Sequence, residues 1–223
     1  MKPIAHLRLV EKSEPPEYDE QTLKAHNENS GKYAAEALRC IELDKIGSFC
    51  GNIHDLGKAT KKFFDYIQPG NTLRRGEVNH TFAAVRYIFE MSDGVDNEVR
   101  ELLAYAVGAH HGQFDAVNDD HKNGFEHRLT KDGIDYDEAK KNFNEYCFSD
   151  AELKSQFDEA AEQLTKIIAG IRERNPKRSA RQAEEYEFQI EVTGFLRGDH
   201  TEHYCRNGEE IGDKYICTYG CPV

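Results

Sequence analysis

The chain has 223 residues, 38% of them hydrophobic and 31% charged, which is enough apolar side chain for a folded core and excludes wholesale disorder. Twenty-nine basic against 41 acidic residues leave a net charge of −12, which excludes a surface built to coat polyanions, although a bound cation can supply positive charge locally. No run nears the roughly 18 apolar residues of a membrane-spanning helix, so no membrane partner is expected.

The N-terminal Met1-Lys2-Pro3-Ile4-Ala5-His6 soon turns polar and does not read as a secretory signal, so the expected compartment is the cytoplasm. Residues 13–20, with Pro15-Pro16, are linker-like. Ala34, Ala37, Leu38 and Ile41 recur at steps of three and four, and so do Ile46, Phe49, Cys50 and Ile53; each stripe predicts a helix. After a second linker-like stretch at 69–76, Ala83, Ala84, Tyr87 and Ile88 predict a helix within 79–91. Leu102, Leu103, Ala106 and Val107, leading to His110, predict another within 98–110. Beyond a third such stretch at 115–124, the stripe Leu153, Phe157, Ala160, Ala161, Leu164, Ile167, Ile168 and Ile171 predicts a long helix. Tyr186, Phe188, Ile190 and Val192 alternate with polar residues in a strand-like period of two. With no evident partner strand, this segment is assigned to helix. No linker is long enough to mark a boundary, so residues 1–223 are expected to form one all-α domain.

Six cysteines lie at 40, 50, 147, 205, 217 and 221 without a Cys-x-x-Cys pair. Their spread reads as reduced thiols. Cys205, Cys217 and Cys221, with His200 and His203 nearby, fit no common zinc spacing.

Ten histidines are the compositional oddity. His26, His54, His80, His110 and His111 each fall on, or one position beside, the inward face of a predicted helix. One histidine on such a face is ordinarily a satisfied core residue. Five of them, with Asp55, are costly to bury together unless a shared cation satisfies them. Imidazoles and a carboxylate suit first-row divalent ions. An adjacent His-Asp pair lets Asp55 bridge two ions while His54 holds one, an arrangement suited to phosphodiester hydrolysis. His6 carries no readable signal, and His121 and His127, in a polar stretch, read as surface residues.

Asn52-Ile53-His54-Asp55-Leu56-Gly57-Lys58 resembles the signature of HD-domain phosphohydrolases. Four further segments are similar to the branch found in CRISPR-associated HD nucleases. They are Lys61–Ile67, with its aromatic-rich helix; Asn79-His80-Thr81-Phe82-Ala83-Ala84, with Thr81 in place of Ser; Gly108-Ala109-His110-His111-Gly112; and Leu23-Lys24-Ala25-His26. Leu196-Arg197-Gly198-Asp199-His200 resembles the motif that closes the site with an Asp. The resemblance implies a helical HD domain with a metal-site core over about 20–203 and a tail over 204–223. It further implies the nuclease domain of the type I CRISPR helicase-nuclease, acting on single-stranded DNA.

Carried over, one ion takes His26, His54, Asp55 and Asp199, and the other takes Asp55, His80, His110 and His111. The ions would be manganese, nickel, cobalt, iron or zinc. Asp55 and Lys58 are the catalytic candidates, with Lys58 close enough in sequence to meet the scissile phosphate. Lys61, Lys62, Arg74 and Arg75, with Arg86, are candidate substrate contacts, and Phe63, Phe64 or Tyr66 could stack bases, although Phe63 and Phe64 also suit the core. No Walker motif occurs: Ala59 stands where a P-loop needs Ser or Thr. A helicase domain or subunit and the RNA-guided surveillance complex are therefore the expected partners. The alternatives are an HD phosphohydrolase acting on nucleotides or cyclic dinucleotides, and a metal-binding module that has lost catalysis.

Overall fold

The computed structural model describes residues 2–10, 16–74, 77–112, 125–130, 135–174, 186–191, 212 and 214–219, excluding the side chains of 126, 127, 186–191 and 214–219. The chain divides into two compact units, Met1–Ile167 and Ile168–Val223. Eight α-helices dominate the described residues, so the protein is mainly helical, as its periodicities predict.

The first unit opens with strand β1 (Ile4–Leu9) antiparallel to β2 (Tyr18–Thr22), from Ile4 opposite Thr22 to Leu9 opposite Tyr18. The chain passes straight from β2 into helix α1 (Leu23–Leu38), where the Thr22 hydroxyl accepts from the Ala25 amide at 3.2 Å and caps the helix. A 3-10 turn (Arg39–Ile41) leads to α2 (Asp44–Ile53). The start of α2 has no side-chain cap of its own. Gln163 supplies one from a distance: its Oε1 accepts from the Lys45 and Ile46 amides at 3.0 and 3.1 Å, and its Nε2 donates to Asp44.

Helices α1 and α2 pack at backbone distance because glycines line their crossing. A Cβ on Gly51 would lie 2.5 Å from the Gly31 Cα, and one on Gly47 would lie 2.7 Å from the Ala34 carbonyl oxygen. The buried face of α1 is therefore Leu23, Asn27 and Gly31, not the expected Ala34, Ala37, Leu38 and Ile41. Ile41 is 58% exposed. Asn27, buried in this seam, donates to the Asn52 carbonyl at 2.8 Å, and Asn52 donates to Gln156 at 2.7 Å.

A second 3-10 turn (Leu56–Lys58) and α3 (Lys61–Ile67), capped by the Thr60 hydroxyl on the Phe63 amide, precede α4 (Thr81–Met91). Then come α5 (Asn97–Gly108), α6 (Phe125–Thr130), α7 (Tyr136–Tyr146) and α8 (Asp150–Arg174). Phe49, Phe82, Phe143, Phe157, Leu103 and Leu153 are among the fully buried side chains. On α5 the buried set is Val99, Leu103, Ala104 and Val107, while Leu102 is 47% exposed and Ala106 also faces solvent. The observed stripe is thus rotated about the helix axis from the expected one, keeping Leu103 and Val107 but taking Val99 and Ala104 in place of Leu102 and Ala106. On α8, Leu153, Phe157, Ala160 and Ala161 are buried as predicted, whereas Ile171 is 46% exposed.

The second unit holds the end of α8 and an antiparallel pair, β3 (Tyr186–Glu191) with β4 (Lys214–Tyr219), Tyr186 lying opposite Tyr219. The helix expected over 186–192 is corrected to a strand. Its partner is the run Tyr215-Ile216-Cys217-Thr218-Tyr219, whose aromatic and β-branched residues favour a pleated conformation. No helix among the described residues is long and apolar enough to cross a membrane.

Candidate metal centre

Four elements deliver the centre. His26 lies in the first turns of α1, and His54 is the residue that ends α2. Asp55 follows in the turn before the second 3-10 segment, His80 sits at the N-cap of α4, and His110 and His111 follow the last turn of α5. The glycine-lined crossing of α1 and α2 sets the His26 and His54 rings 5.3 Å apart.

All converge on Asp55, which is 1% exposed. Its Oδ2 lies 3.1 Å from His26 Nε2, 3.1 Å from His54 Nε2 and 2.8 Å from Lys58 Nζ. Its Oδ1 lies 3.6 Å from His110 Nε2 and 3.8 Å from His80 Nε2. Two groups of candidate ligand atoms result, each within 4.8 Å: His26, His54 and Asp55, and then Asp55, His80, His110 and His111. Asp55 is common to both, one oxygen facing each.

The hydrogen bonding around these rings tests whether a cation fits. His54 Nδ1 lies 2.8 Å from the Gly51 carbonyl and His110 Nδ1 lies 2.6 Å from the Val107 carbonyl. A carbonyl only accepts, so both rings carry their proton on Nδ1 and point the Nε2 lone pair at Asp55. Lone pairs facing a carboxylate leave acceptors opposed to acceptors. Accordingly, Asp55 Oδ1 and His110 Nε2 are buried atoms without a hydrogen-bond partner, their 3.6 Å separation being too long for one. His80 Nε2 and His111 Nε2 stand 2.8 Å apart. A divalent cation in each of the two groups would satisfy these lone pairs, and anchoring a ligand histidine through its other nitrogen to a backbone carbonyl is the usual supporting arrangement. The donor set fits.

Electrostatics agree. Burial alone would raise the Asp55 carboxyl, yet it is held well below the usual carboxylate range where the His110, His26 and His54 rings present Nε2 protons to it in place of a metal. Burial pushes His80 down to about 4 although the Asp55 carboxylate pulls the other way. Burial also lowers His111, with His110 beside it adding to the effect. Neutral imidazoles and an ionised carboxylate are the forms that bind metal.

Two neighbours fix the turn. A Cβ on Gly57 would stand 2.0 Å from the His80 carbonyl oxygen, so only glycine lets the His-Asp turn lie against the head of α4. Phe63, buried, meets the His80 ring at 5.4 Å, and Lys58 Nζ lies 5.4 Å above the Phe63 ring. Phe63 is thus a wall of the centre and not a stacking platform. Lys58 is 6% exposed and bound to Asp55.

The other candidates lie farther out. Lys61 is exposed and paired with Asp65, and its amide donates to Glu138. Lys62 and Arg74 are exposed on the surface. Arg86 Nε donates to the Leu129 carbonyl at 2.8 Å, a structural engagement. Arg75 and Asp199, with the segments around His121 and His200 to Cys205, lie outside the described residues, as do the side chains of His127 and Cys217. Cys40, Cys50 and Cys147 are free thiols.

One residue near the centre has no signal in the sequence. His6, on β1, stands edge-on to His26 with ring centroids 4.7 Å apart. Burial and the Lys58 charge lower its pKa. Only the docking of the β1–β2 hairpin against α1 brings it here, and no motif records that.

A family model described as Cas3, HD domain matches residues 20–196, a span that contains His26, His54, Asp55, Lys58, His80, His110 and His111. No curated protein and no solved structure matches.

Proposed function

The chain belongs to the Cas3 HD-domain family, a family of metal-dependent hydrolases of type I CRISPR systems, and from that premise we propose that it cleaves phosphodiester bonds of single-stranded DNA exposed during interference. The observation that carries this reading is the buried Asp55 carboxylate, each oxygen of which faces its own group of histidines.

In this reading His26, His54 and Asp55, joined by Asp199, hold one divalent ion, and Asp55, His80, His110 and His111 hold the other. Manganese, iron, cobalt, nickel and zinc all suit these donors. Bound there, a divalent ion lowers the pKa of water and stabilises charge on the attacking and leaving oxygens. The protein's own part is to fix these ligands and supply Lys58. That ammonium, held 2.8 Å from Asp55 by the turn, needs only a small swing to reach a non-bridging oxygen of the scissile phosphate. Lys61, Lys62, Arg74 and Arg75 would then steer the flanking strand as weak, screened surface charges.

His111, at the rim of the centre, is exposed. An open rim admits a polymer, which favours the nuclease over an enzyme that encloses a nucleotide. With no Walker motif, unwinding falls to a helicase domain or subunit, and an RNA-guided complex would deliver the strand; the expected compartment is the cytoplasm. The test is a substrate comparison with metal-loaded protein on circular single-stranded DNA, RNA, duplex DNA and deoxynucleoside triphosphates. Cleavage of the circle, abolished by chelation, supports the reading. Hydrolysis confined to the triphosphates overturns it.

A further inference from the structure

Helix α2 ends at the metal centre, where the carbonyls of its last turn lack the amides that a longer helix would provide. Two of them are met by side chains. The Gly51 carbonyl lies 2.8 Å from His54 Nδ1, the contact that orients that ring, and the next carbonyl, of Asn52, accepts from Asn27 Nδ2 at 2.8 Å. Asn27 comes from α1 and directly follows His26. It is fully buried, and because a carbonyl only accepts, its NH2 must face Asn52. Its own Oδ1 is then a buried atom without a hydrogen-bond partner. A buried amide with one half unpaired is costlier than an apolar side chain in the same place, so the half that is paired has to matter. Asn52 is gripped from the other side as well. Its Oδ1 fills the gap left by Gly31, where a Cβ would stand 2.2 Å away, and its Nδ2 donates to Gln156 on α8 at 2.7 Å.

From this geometry we infer that Asn27 is a positioning residue of the metal centre: its bond to the Asn52 carbonyl sets the end of α2, and with it His54 and Asp55, against His26 on α1. The inference rests on reading the centre as a metal site and not on which substrate is hydrolysed there. Glycines let the two helices approach, but a smooth glycine contact does not stop one helix sliding along the other. A hydrogen bond is directional and does. The slide matters because metal ligands must hold their places to within about 0.2 Å. The group of His26, His54 and Asp55 draws its ligands from both sides of this seam, so it is the group that depends on Asn27. The other group is tied to Asp55 independently, through the contact of Gly57 with the His80 carbonyl.

The test is a cobalt(II) titration of the full chain against a competing chelator, on wild type, Asn27→Ala, Asn27→Leu and Asn27→Gln. Alanine is smaller and leucine larger than asparagine, and neither donates. A loss common to both therefore follows the hydrogen bond and not the volume, and if one of them fails to fold the other still answers. Removing an outer partner of a metal ligand costs about 10- to 100-fold in affinity. The expected loss in Asn27→Ala and Asn27→Leu is roughly tenfold, the lower end of that range, because Asn27 holds the carbonyl beside the one that anchors His54. It falls on one class of cobalt site and leaves the other unchanged. Asn27→Gln, which keeps the donor on a longer arm, recovers part of it. In a His26→Ala background, Asn27→Ala adds little, because the group it positions is already lost. Gln163→Ala loosens the opposite end of α2 and should lower the urea midpoint without moving either class, which separates positioning from a general loss of stability. Wild-type cobalt affinity in both Asn27→Ala and Asn27→Leu, equal weakening of the two classes, or a matching loss in Gln163→Ala overturns the inference. Wild type that binds no cobalt overturns the reading of the centre as a metal site, and the role of Asn27 with it.

Discussion

Replacing Gly57 by alanine probes how the turn and the centre depend on each other. The added Cβ meets three backbone atoms of His80: the carbonyl oxygen at 2.0 Å and the carbonyl carbon and Cα at 2.7 Å. Real Cβ atoms essentially never stand closer than 3.0 Å to such a neighbour, so the head of α4 must retreat by at least about 1 Å, from 2.0 to 3.0 Å. No flexible side chain is available to absorb this. Overpacking of this kind costs about 1–3 kcal/mol, which for a chain of this length lowers Tm by roughly 2–12 °C. The functional effect is larger. Metal–nitrogen bonds are about 2.0–2.1 Å with a tolerance near 0.2 Å, so a 1 Å retreat removes His80 as a ligand. Gly57→Ala should therefore fold, melt lower, and lose affinity in the group of Asp55, His80, His110 and His111, while retaining affinity in the group of His26 and His54. Thermal unfolding with and without metal, together with metal content per chain, reads both effects. Gly70→Ala is the control: its φ of +79° strains an alanine, but no atom lies within 4 Å of the new Cβ. It should lose about 1 kcal/mol and no metal. A Gly57→Ala protein with wild-type metal content and turnover would refute the argument that this close contact positions His80.

Asp55→Asn should abolish loading of both metal positions and, in chelator, cost about 3–5 kcal/mol by leaving the buried Lys58 ammonium without its carboxylate; urea unfolding and metal analysis check this. The metal-free protein should lose stability on acidification between about pH 6.5 and pH 4. His80 titrates at about 4 when folded and near 6.5 when unfolded, so the unfolded chain binds the extra proton across that window. The contribution reaches roughly 3 kcal/mol at most, and His80→Asn should flatten the slope of stability against pH. Gln163→Ala strips the borrowed cap from α2 and should cost about 1–2 kcal/mol with little effect on metal content; an unchanged urea midpoint would show that water caps α2 equally well.

The centre is more legible in the sequence than its scaffold. His54-Asp55 and His110-His111 each sit where a helix ends, and a helix end fixes the direction of the next side chains closely enough for spacing to be informative. The face of α1 is misjudged from hydropathy because hydropathy cannot register what glycine does. Gly31 contributes no apolar surface, yet its missing side chain is what lets α2 approach, and Ala37 and Ile41 are turned to solvent as a result. Leu102 and Leu103 are indistinguishable to a periodicity argument because adjacent residues offer the same hydropathy at different azimuths. The 186–191 strand carries the right alternation, but its partner lies beyond 22 intervening residues, too far for any local signal to join them. His6 has no motif at all, since its neighbourhood depends on where a hairpin docks.

Asp55 gathers side chains from positions 26 to 111, and that span has a bearing on how the protein meets its surroundings. A cation seated there ties α1, the turn after α2, the head of α4 and the end of α5 to one point, and the unfolded chain has no equivalent seat. Each tenfold rise in free metal above the dissociation constant then adds about 1.4 kcal/mol per ion to the folded state, or roughly 3–6 °C in Tm. The same carboxylate that organises hydrolysis thus makes the thermal endurance of the fold a gauge of metal supply: a starved cell would carry a softer, more readily degraded nuclease.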